Sequence, residues 1–306
     1  MNATIKNRSK NKLHDIITSM KGRSCSFVFS GARGTGKSCS VKELACKLLD
    51  IKDLNTHPNI LWIDTEQKNV SVVEIRNISN FMFRTSCHPN LPKLIVIDCA
   101  DNLNIHSLNA LLKVLEEPTK NTYFIMISHN ADALPDTIKS RCIIINFPPP
   151  SLSSTRQLLK RQLPDLSETQ LNDYLSLSSS PGILMQLIKN DTLKVYKELL
   201  ELLQNSGELS NKLYGFIEKN FSKSDRLETF QFLVKTLIYK AIRTKASQPP
   251  ALISEEKKAV ETITATKSMK KLLAINDEID SFVADSKLLG LDTKGVILIV
   301  LHKLMR

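Results

Sequence analysis
No apolar stretch in this chain of 306 residues approaches the roughly 18 consecutive residues that cross a membrane; the longest, such as Val296–Leu301, are only core-sized. None of the six cysteines (Cys25, Cys39, Cys46, Cys87, Cys99, Cys142) stands in a CxxC pair, so a disulfide framework is not expected. Met1–Lys12 is polar and basic with no apolar segment behind it, which does not read as a secretion signal. The expectation is a cytoplasmic protein, away from the membrane, with reduced and mostly buried thiols. Internal repeats and low-complexity segments are lacking as well. Acidic residues are in deficit, with 31 Asp and Glu against 42 Lys and Arg and a net charge of +11.

That deficit is concentrated at the start, where residues 1–50 carry 10 Lys and Arg against 3 Asp and Glu. Such a bias suits a polyanionic partner, nucleotide or nucleic acid, and equally a solvated basic surface. With 42% hydrophobic and 24% charged residues, the composition is that of a globular protein. The length allows two or three domains.

What is present is an alternation. Short runs rich in Ile and Val at Ser26–Ser30, Ile60–Asp64, Leu94–Asp98, Thr122–Ser128 and Cys142–Phe147 predict strands. Helical spacings lie between them over Lys37–Leu49, Val70–Arg84 and Ile105–Glu117, the last stopped by Pro118. Strands and helices in turn predict a parallel sheet covered and buried on both faces. Pro148-Pro149-Pro150 closes this region, since three prolines cannot continue a strand. Beyond it only helices are predicted: Ser153–Gln162, Ser167–Leu177, Gly182–Lys189, a helix carrying Leu227, Phe230, Val234, Leu237, Ile238 and Ala241 on one face, a helical group over Ser254–Leu289, and Asp292–Leu304.

Gly31-Ala-Arg33-Gly34-Thr35-Gly36-Lys37-Ser38 matches G-x-x-x-x-G-K-[ST] in full, between a predicted strand and a predicted helix. Backbone N–H groups of such a loop curl around phosphates, and the helix N-terminus adds positive charge. Lys37 would neutralise the outer phosphates and the Ser38 hydroxyl would ligate Mg²⁺. Leu94–Asp98 ends in Asp98, from which an aspartate can hold Mg²⁺ through water; a turn-forming aspartate is the plainer alternative. Cys99 follows it. A thiol offers no second oxygen to orient an attacking water, so binding of nucleotide is expected to exceed its cleavage. Asp101 reads as a helix-starting residue in Asp101-Asn102-Leu103 rather than as a displaced base.

Asn109-Ala-Leu-Leu-Lys-Val-Leu-Glu-Glu-Pro118, with Thr137-Ile-Lys-Ser-Arg141-Cys142 downstream, resembles the clamp-loader subunits of bacterial DNA polymerase III, the gamma/tau and delta-prime kinds, with replication factor C as the eukaryotic relative. The likeness runs from about Ser26 to Phe147. Ile95-Val-Ile-Asp-Cys-Ala-Asp-Asn-Leu-Asn104 is similar to the delta-prime version of the Asp98 strand, and Ser178-Ser-Ser-Pro-Gly182 to the delta-prime opening of the last lid helix. Where the gamma kind carries an arginine, this chain has Gly182.

The resemblance implies an AAA+ α/β fold: a P-loop domain over residues 1–148, a helical lid over 149–192 and a helical collar for assembly over 193–306. It implies ATP and Mg²⁺ as ligands, with Gly31, Arg33, Gly34, Thr35, Gly36, Lys37, Ser38, Asp98 and His129 at the nucleotide. His129 holds the position of a phosphate sensor, although a histidine at a strand end is more often structural. Arg141 becomes an arginine finger reaching a neighbouring subunit's ATP. Glu116 and Glu117 receive no chemistry, as solvated residues before a proline stop. Of the four-cysteine zinc module seen in many members only Cys46 lies in that region, so no zinc is expected. The implied partners are gamma/tau and delta subunits, the sliding clamp and primer-template DNA, within a polymerase holoenzyme to which this chain brings no polymerase site and weak or absent ATPase. An ATP-hydrolysing motor of the gamma kind is the alternative.

Overall fold
The structure, a computed structural model, describes residues 23–54, 57–65, 72–85, 88, 90–204, 209–221 and 226–305. The chain divides into two compact units. One runs up to Thr155 and also takes in Ser180–Gly182; the other comprises Arg156–Ser179 and the chain from Ile183 onward.

The first unit is built on five parallel strands: β1 (Cys25–Ser30), β2 (Ile60–Asp64), β3 (Lys93–Asp98), β4 (Thr122–Ser128) and β5 (Ile143–Asn146), in the order β2-β3-β4-β1-β5. Because successive side chains of a strand point to opposite faces, each central strand feeds two cores. Phe27, Phe29, Leu94, Val96, Tyr123, Ile125 and Ile127 pack with α1 (Lys37–Leu49) through Val41, Leu44 and Leu49. Val28, Ile95, Ile97, Phe124 and Met126 face the opposite way, onto α2 (Val72–Phe83) and α3 (Ile105–Glu116). Strands buried on both faces can be apolar at every position, which explains the unbroken runs in the sequence. The Asn104 side chain caps α3 by accepting the Ser107 N–H at 2.8 Å. A four-residue helix, α4 (Asp136–Lys139), leads into β5.

The expectation of a fully buried sheet fails at β5. This strand is an edge, paired only with β1 among the described strands, and its Ile143 and Ile144 are 38% and 41% exposed. The thiols depart from expectation too: of the five described cysteines only Cys99 is buried, Cys39 is exposed and the other three are intermediate. Cys87 and the first two residues of the helix predicted from Val70 lie outside the described residues.

Beyond β5 all regular structure among the described residues is helical: α5 (Leu152–Gln162), α6 (Glu168–Leu177), α7 (Pro181–Lys189), α8 (Thr192–Gln204), α9 (Leu209–Phe221), α10 (Leu227–Lys245), α11 (Glu256–Thr266), α12 (Met269–Leu289) and α13 (Thr293–Met305). The predicted stripe of α10 is realised, with Leu227, Phe230, Val234, Leu237, Ile238 and Ala241 all buried. The stretch from Ser254 to Leu289 is broken at Lys267-Ser268, where the Ser268 hydroxyl accepts the Lys271 N–H at 3.2 Å and starts α12. Leu159, Leu171 and Leu184 share one apolar core with Leu199, Phe230, Ile275 and Ile297. The segments read as lid and collar therefore draw on common packing within the second unit. Glu256 is wholly buried there. It accepts from Lys240 at 2.7 and 2.8 Å, from the Tyr196 hydroxyl at 2.6 Å and from the Ile253 N–H at 2.9 Å. Among the described residues no helix is long and apolar enough to cross a membrane.

Candidate nucleotide-binding site
Ligands of open α/β sheets sit outside the carboxyl ends of the strands, and the sequence-derived residues gather at that end. β1 stops at Ser30, whose carbonyl accepts the Phe147 N–H at 2.7 Å. This close pass of the chain beyond β5 dictates glycine at 31: a Cβ there would lie 2.3 Å from the Phe147 carbonyl oxygen. The loop then turns into α1, which begins at Lys37. Lys37 is only 3% exposed, and its ammonium donates to the loop's own carbonyls of Gly31 and, at 2.9 Å, Ala32. Burial pulls its pKa below the usual lysine value, against the attraction of Asp101, Asp98 and Cys99.

Three strand ends meet around this lysine. Ser38 donates its hydroxyl to Asp98 Oδ1 at 3.1 Å, joining the loop to the end of β3. Burial pushes the Asp98 carboxyl up, an effect the Ser38 hydrogen bond opposes. Cys99 adopts a left-handed backbone, φ 60°, and its Sγ lies 3.3 Å from His129 Nε2, just beyond β4. Burial and the nearby Lys37 charge depress the His129 pKa, so the ring is neutral at pH 7. Its Nδ1 is buried without a hydrogen-bond partner.

Asp101 does more than start a turn. It lies in a short 3₁₀ segment, Ala100–Asn102, and its carboxylate accepts from Ser128 Oγ at 2.6 Å, from the His129 N–H at 2.5 Å and from the Asn130 N–H at 3.4 Å. It thereby fixes the turn that carries His129 beside Cys99. From β2, the Thr65 hydroxyl lies 2.8 Å from the Asp98 carbonyl and 2.5 Å from that of Cys99. Thr65 belongs to no motif, and the motif that contains Asp101 does not reveal its partners, which are remote in sequence.

Arg141 stands apart from this cluster. Its Nη2 pairs with Glu116 Oε1 at 2.6 Å and its Nη1 donates to the Thr137 carbonyl at 3.0 Å. Glu116, read from the sequence as a solvated residue without chemistry, thus holds the guanidinium at the end of α3. Both side chains remain well exposed, at 38% and 49%.

A buried ammonium flanked by a hydroxyl–carboxylate pair, with an orphaned imidazole nitrogen close by, suits a polyphosphate and its Mg²⁺. Among the described residues no three His, Cys, Asp or Glu side chains converge as a metal site. An ion at Ser38 and Asp98 would therefore rely on phosphate and water for its other ligands, as Mg²⁺ usually does. Residues 5–151 match the profile of the family described as DNA polymerase III, delta subunit. Over this stretch the chain is similar to DNA polymerase III delta-prime subunits. The delta-prime subunit of Pseudomonas aeruginosa is 32% identical over 143 residues, 46% of this chain and 43% of that protein. The delta-prime subunit of Buchnera aphidicola subsp. Schizaphis graminum is 28% identical over 210 residues, 68% of this chain and 62% of that one. The chain thus spans less than two thirds of the length of these relatives. A gamma subunit-related protein of DNA polymerase III from Thermotoga maritima shares the fold, with a TM-score of 0.57 at 19% identity, covering 97% of this chain and 98% of that one.

The thiols permit a direct check of this geometry. Brief alkylation near pH 8 should modify the exposed Cys39 first, since reactivity follows exposure and thiolate fraction. Cys142, whose pKa burial raises to about 12, should be modified far more slowly, as should buried Cys99. Peptide mass spectrometry over a time course reads the order, and equal rates for Cys39 and Cys142 would contradict it.

Proposed function
We propose that this chain is a delta-prime-type subunit of a DNA polymerase III clamp loader that binds Mg·ATP at the Lys37–Ser38–Asp98 site, hydrolyses it slowly if at all, and lends Arg141 to a neighbouring subunit. The observation that carries the reading is the joining of Ser38 to Asp98 beside the buried Lys37 in a segment similar to delta-prime subunits. In the bound state Lys37 would exchange the carbonyls of Gly31 and Ala32 for phosphate oxygens, and Ser38 and Asp98 would hold Mg²⁺. The Gly31, Arg33, Gly34, Thr35 and Gly36 backbone would line the phosphates, and His129 would stand beyond them. Cys99 and the neutral His129 supply no carboxylate to orient water, which supports binding over turnover. In this reading the chain works in the cytoplasm with gamma/tau and delta subunits, the sliding clamp and primer-template DNA.

Calorimetry of the full chain with Mg·ATP should show binding, and Lys37→Ala should weaken it by about 10- to 100-fold, the worth of a charge-assisted hydrogen bond. Co-purification with a gamma/tau subunit tests membership of the loader. A motor of the gamma kind is the second reading, favoured by the complete P-loop and by 27% identity over 229 residues to the gamma/tau subunit of Mycoplasma genitalium. Steady ATP turnover by the isolated chain at ordinary motor rates would decide for it.

A further inference from the structure
The phosphate loop is gripped by residues nearly 150 positions further along the chain. Ser180 Oγ donates to the Arg33 carbonyl at 2.7 Å, and the Gly182 backbone N–H donates to the Gly34 carbonyl at 3.0 Å. Ser180–Gly182 belongs to the same compact unit as the loop. The local sequence accounts for the free donor. Pro181 opens α7, where its fixed φ suits the first helical position. Gly182 then falls in the first turn, whose N–H groups have no partner inside the helix, and this one is spent on the loop.

The fit leaves no room for a side chain. A Cβ on Gly182 would lie 2.8 Å from Gly34 Cα and 2.9 Å from its oxygen. These are backbone atoms, so no rotamer change relieves the clash. Alanine is the better helix former by intrinsic propensity; glycine here is a matter of clearance.

The two bonds have a consequence on the far side of the loop. In a trans peptide the C=O and the N–H of one plane point in opposite directions, and no cis bond occurs among the described residues. The Arg33 carbonyl shares its plane with the Gly34 N–H, and the Gly34 carbonyl with the Thr35 N–H. Holding both carbonyls toward Ser180 and Gly182 turns both N–H groups away from them. The Thr35 N–H has only a long 3.4 Å contact, to the Ala32 carbonyl. Backbone N–H groups of this stretch are what a P-loop offers to phosphate.

We propose that Ser180 and Gly182 are positioning residues of the nucleotide site, which clasp the loop by two carbonyls and so preset the Gly34 and Thr35 amides for polyphosphate. The inference rests on the nucleotide reading given above, and its test separates the two. Calorimetry with Mg·ATP and Mg·ADP, and hydrogen–deuterium exchange over residues 30–38, are to be compared for the full wild-type chain, Ser180→Ala, Ser180→Thr and Gly182→Ala. Affinity should fall about 3- to 10-fold in Ser180→Ala and about 10-fold or more in Gly182→Ala, the range for one lost hydrogen bond and for a displaced backbone. Ser180→Thr keeps the hydroxyl and should restore wild-type affinity. Loop exchange should quicken in both alanine variants with or without nucleotide, although Gly182→Ala improves helix propensity. Wild-type affinity and wild-type loop exchange in both alanine variants would overturn the proposal. If the wild type binds neither nucleotide, the nucleotide reading falls, and loop exchange alone decides whether the clasp exists: faster exchange upholds it, unchanged exchange refutes it.

Discussion

On the function proposed above, Arg141→Ala is expected to leave the fold and this chain's own nucleotide affinity unchanged, while the one neighbouring site it serves slows by about 10³-fold or more and the assembled loader loses much of its DNA-stimulated ATPase. Arginine fingers contribute about 10³–10⁵ in rate by stabilising charge on the transferred phosphoryl group. The resting contacts of Arg141 are cheap to give up. Its ion pair with Glu116 is exposed on both sides, and such pairs are worth about 0–1 kcal/mol. Glu116→Gln should therefore leave loader activity intact, which separates the reach of the arginine from its resting place. Arg141→Lys should rescue poorly, because a point charge lacks the planar fork that grips two phosphate oxygens. The measurement is ATPase of the reconstituted complex, with assembly matched by gel filtration. Equal rates for wild type and Arg141→Ala would leave Arg141 as a surface residue.

The largest effect on stability is expected at Glu256. Glu256→Ala strips Lys240, Tyr196 and the Ile253 amide of a common acceptor in a place where Lys240 is 3% exposed and Glu256 fully buried. Leaving a buried charge unpaired in this way costs about 3–5 kcal/mol, a large share of a typical domain's 5–15 kcal/mol. At about 2–4 °C per kcal/mol for a domain of this size, thermal unfolding should move down by roughly 10 °C. The deficit should depend on pH. Burial already holds the Lys240 pKa below the ordinary value, and Glu256 opposes that shift. Without Glu256 the folded-state pKa falls further. A lysine held below its free value penalises the folded state most below its folded-state pKa, and the deficit shrinks as pH rises from there toward the free lysine range. Replacing both partners, Lys240→Met with Glu256→Leu, should recover most of the loss, since apolar substitutes for buried pairs are often neutral or stabilising. Denaturant midpoints of the single and double variants test this, and a double variant as weak as Glu256→Ala would contradict it.

How far the sequence carried these conclusions depended on the range of the interaction. Lys37–Leu49 is a helix over the very residues predicted, because a phosphate loop and a helical period mark it locally. The central strands were legible because burial on both faces makes them apolar at every position. The same signal misled at β5, where Ile143 and Ile144 read as core and lie on an edge; periodicity reports what a residue is, not how many neighbours a strand has. Lys37, Ser38 and Asp98 were found by motif. The long-range ties were not: Asp101 to the turn after β4, Thr65 to the end of β3, Ser180 to the loop and, away from the cluster, Glu116 to Arg141. Each joins segments whose nearness is decided by topology, and no spacing encodes it. Glu256 was hidden for the same reason, as a glutamate at the start of an exposed-looking Glu-Glu-Lys-Lys run.

β5 links two features described separately above. Arg141 stands just before its first residue, and the Phe147 peptide just after its last is hydrogen-bonded to Ser30 and pressed against Gly31. At about 3.3 Å per residue its four residues span about 13 Å, and pairing with β1 from Phe27 to Ser30 along the full length keeps it straight. Arg141 and the wall of the phosphate loop are thus tied to the two ends of one four-residue edge strand.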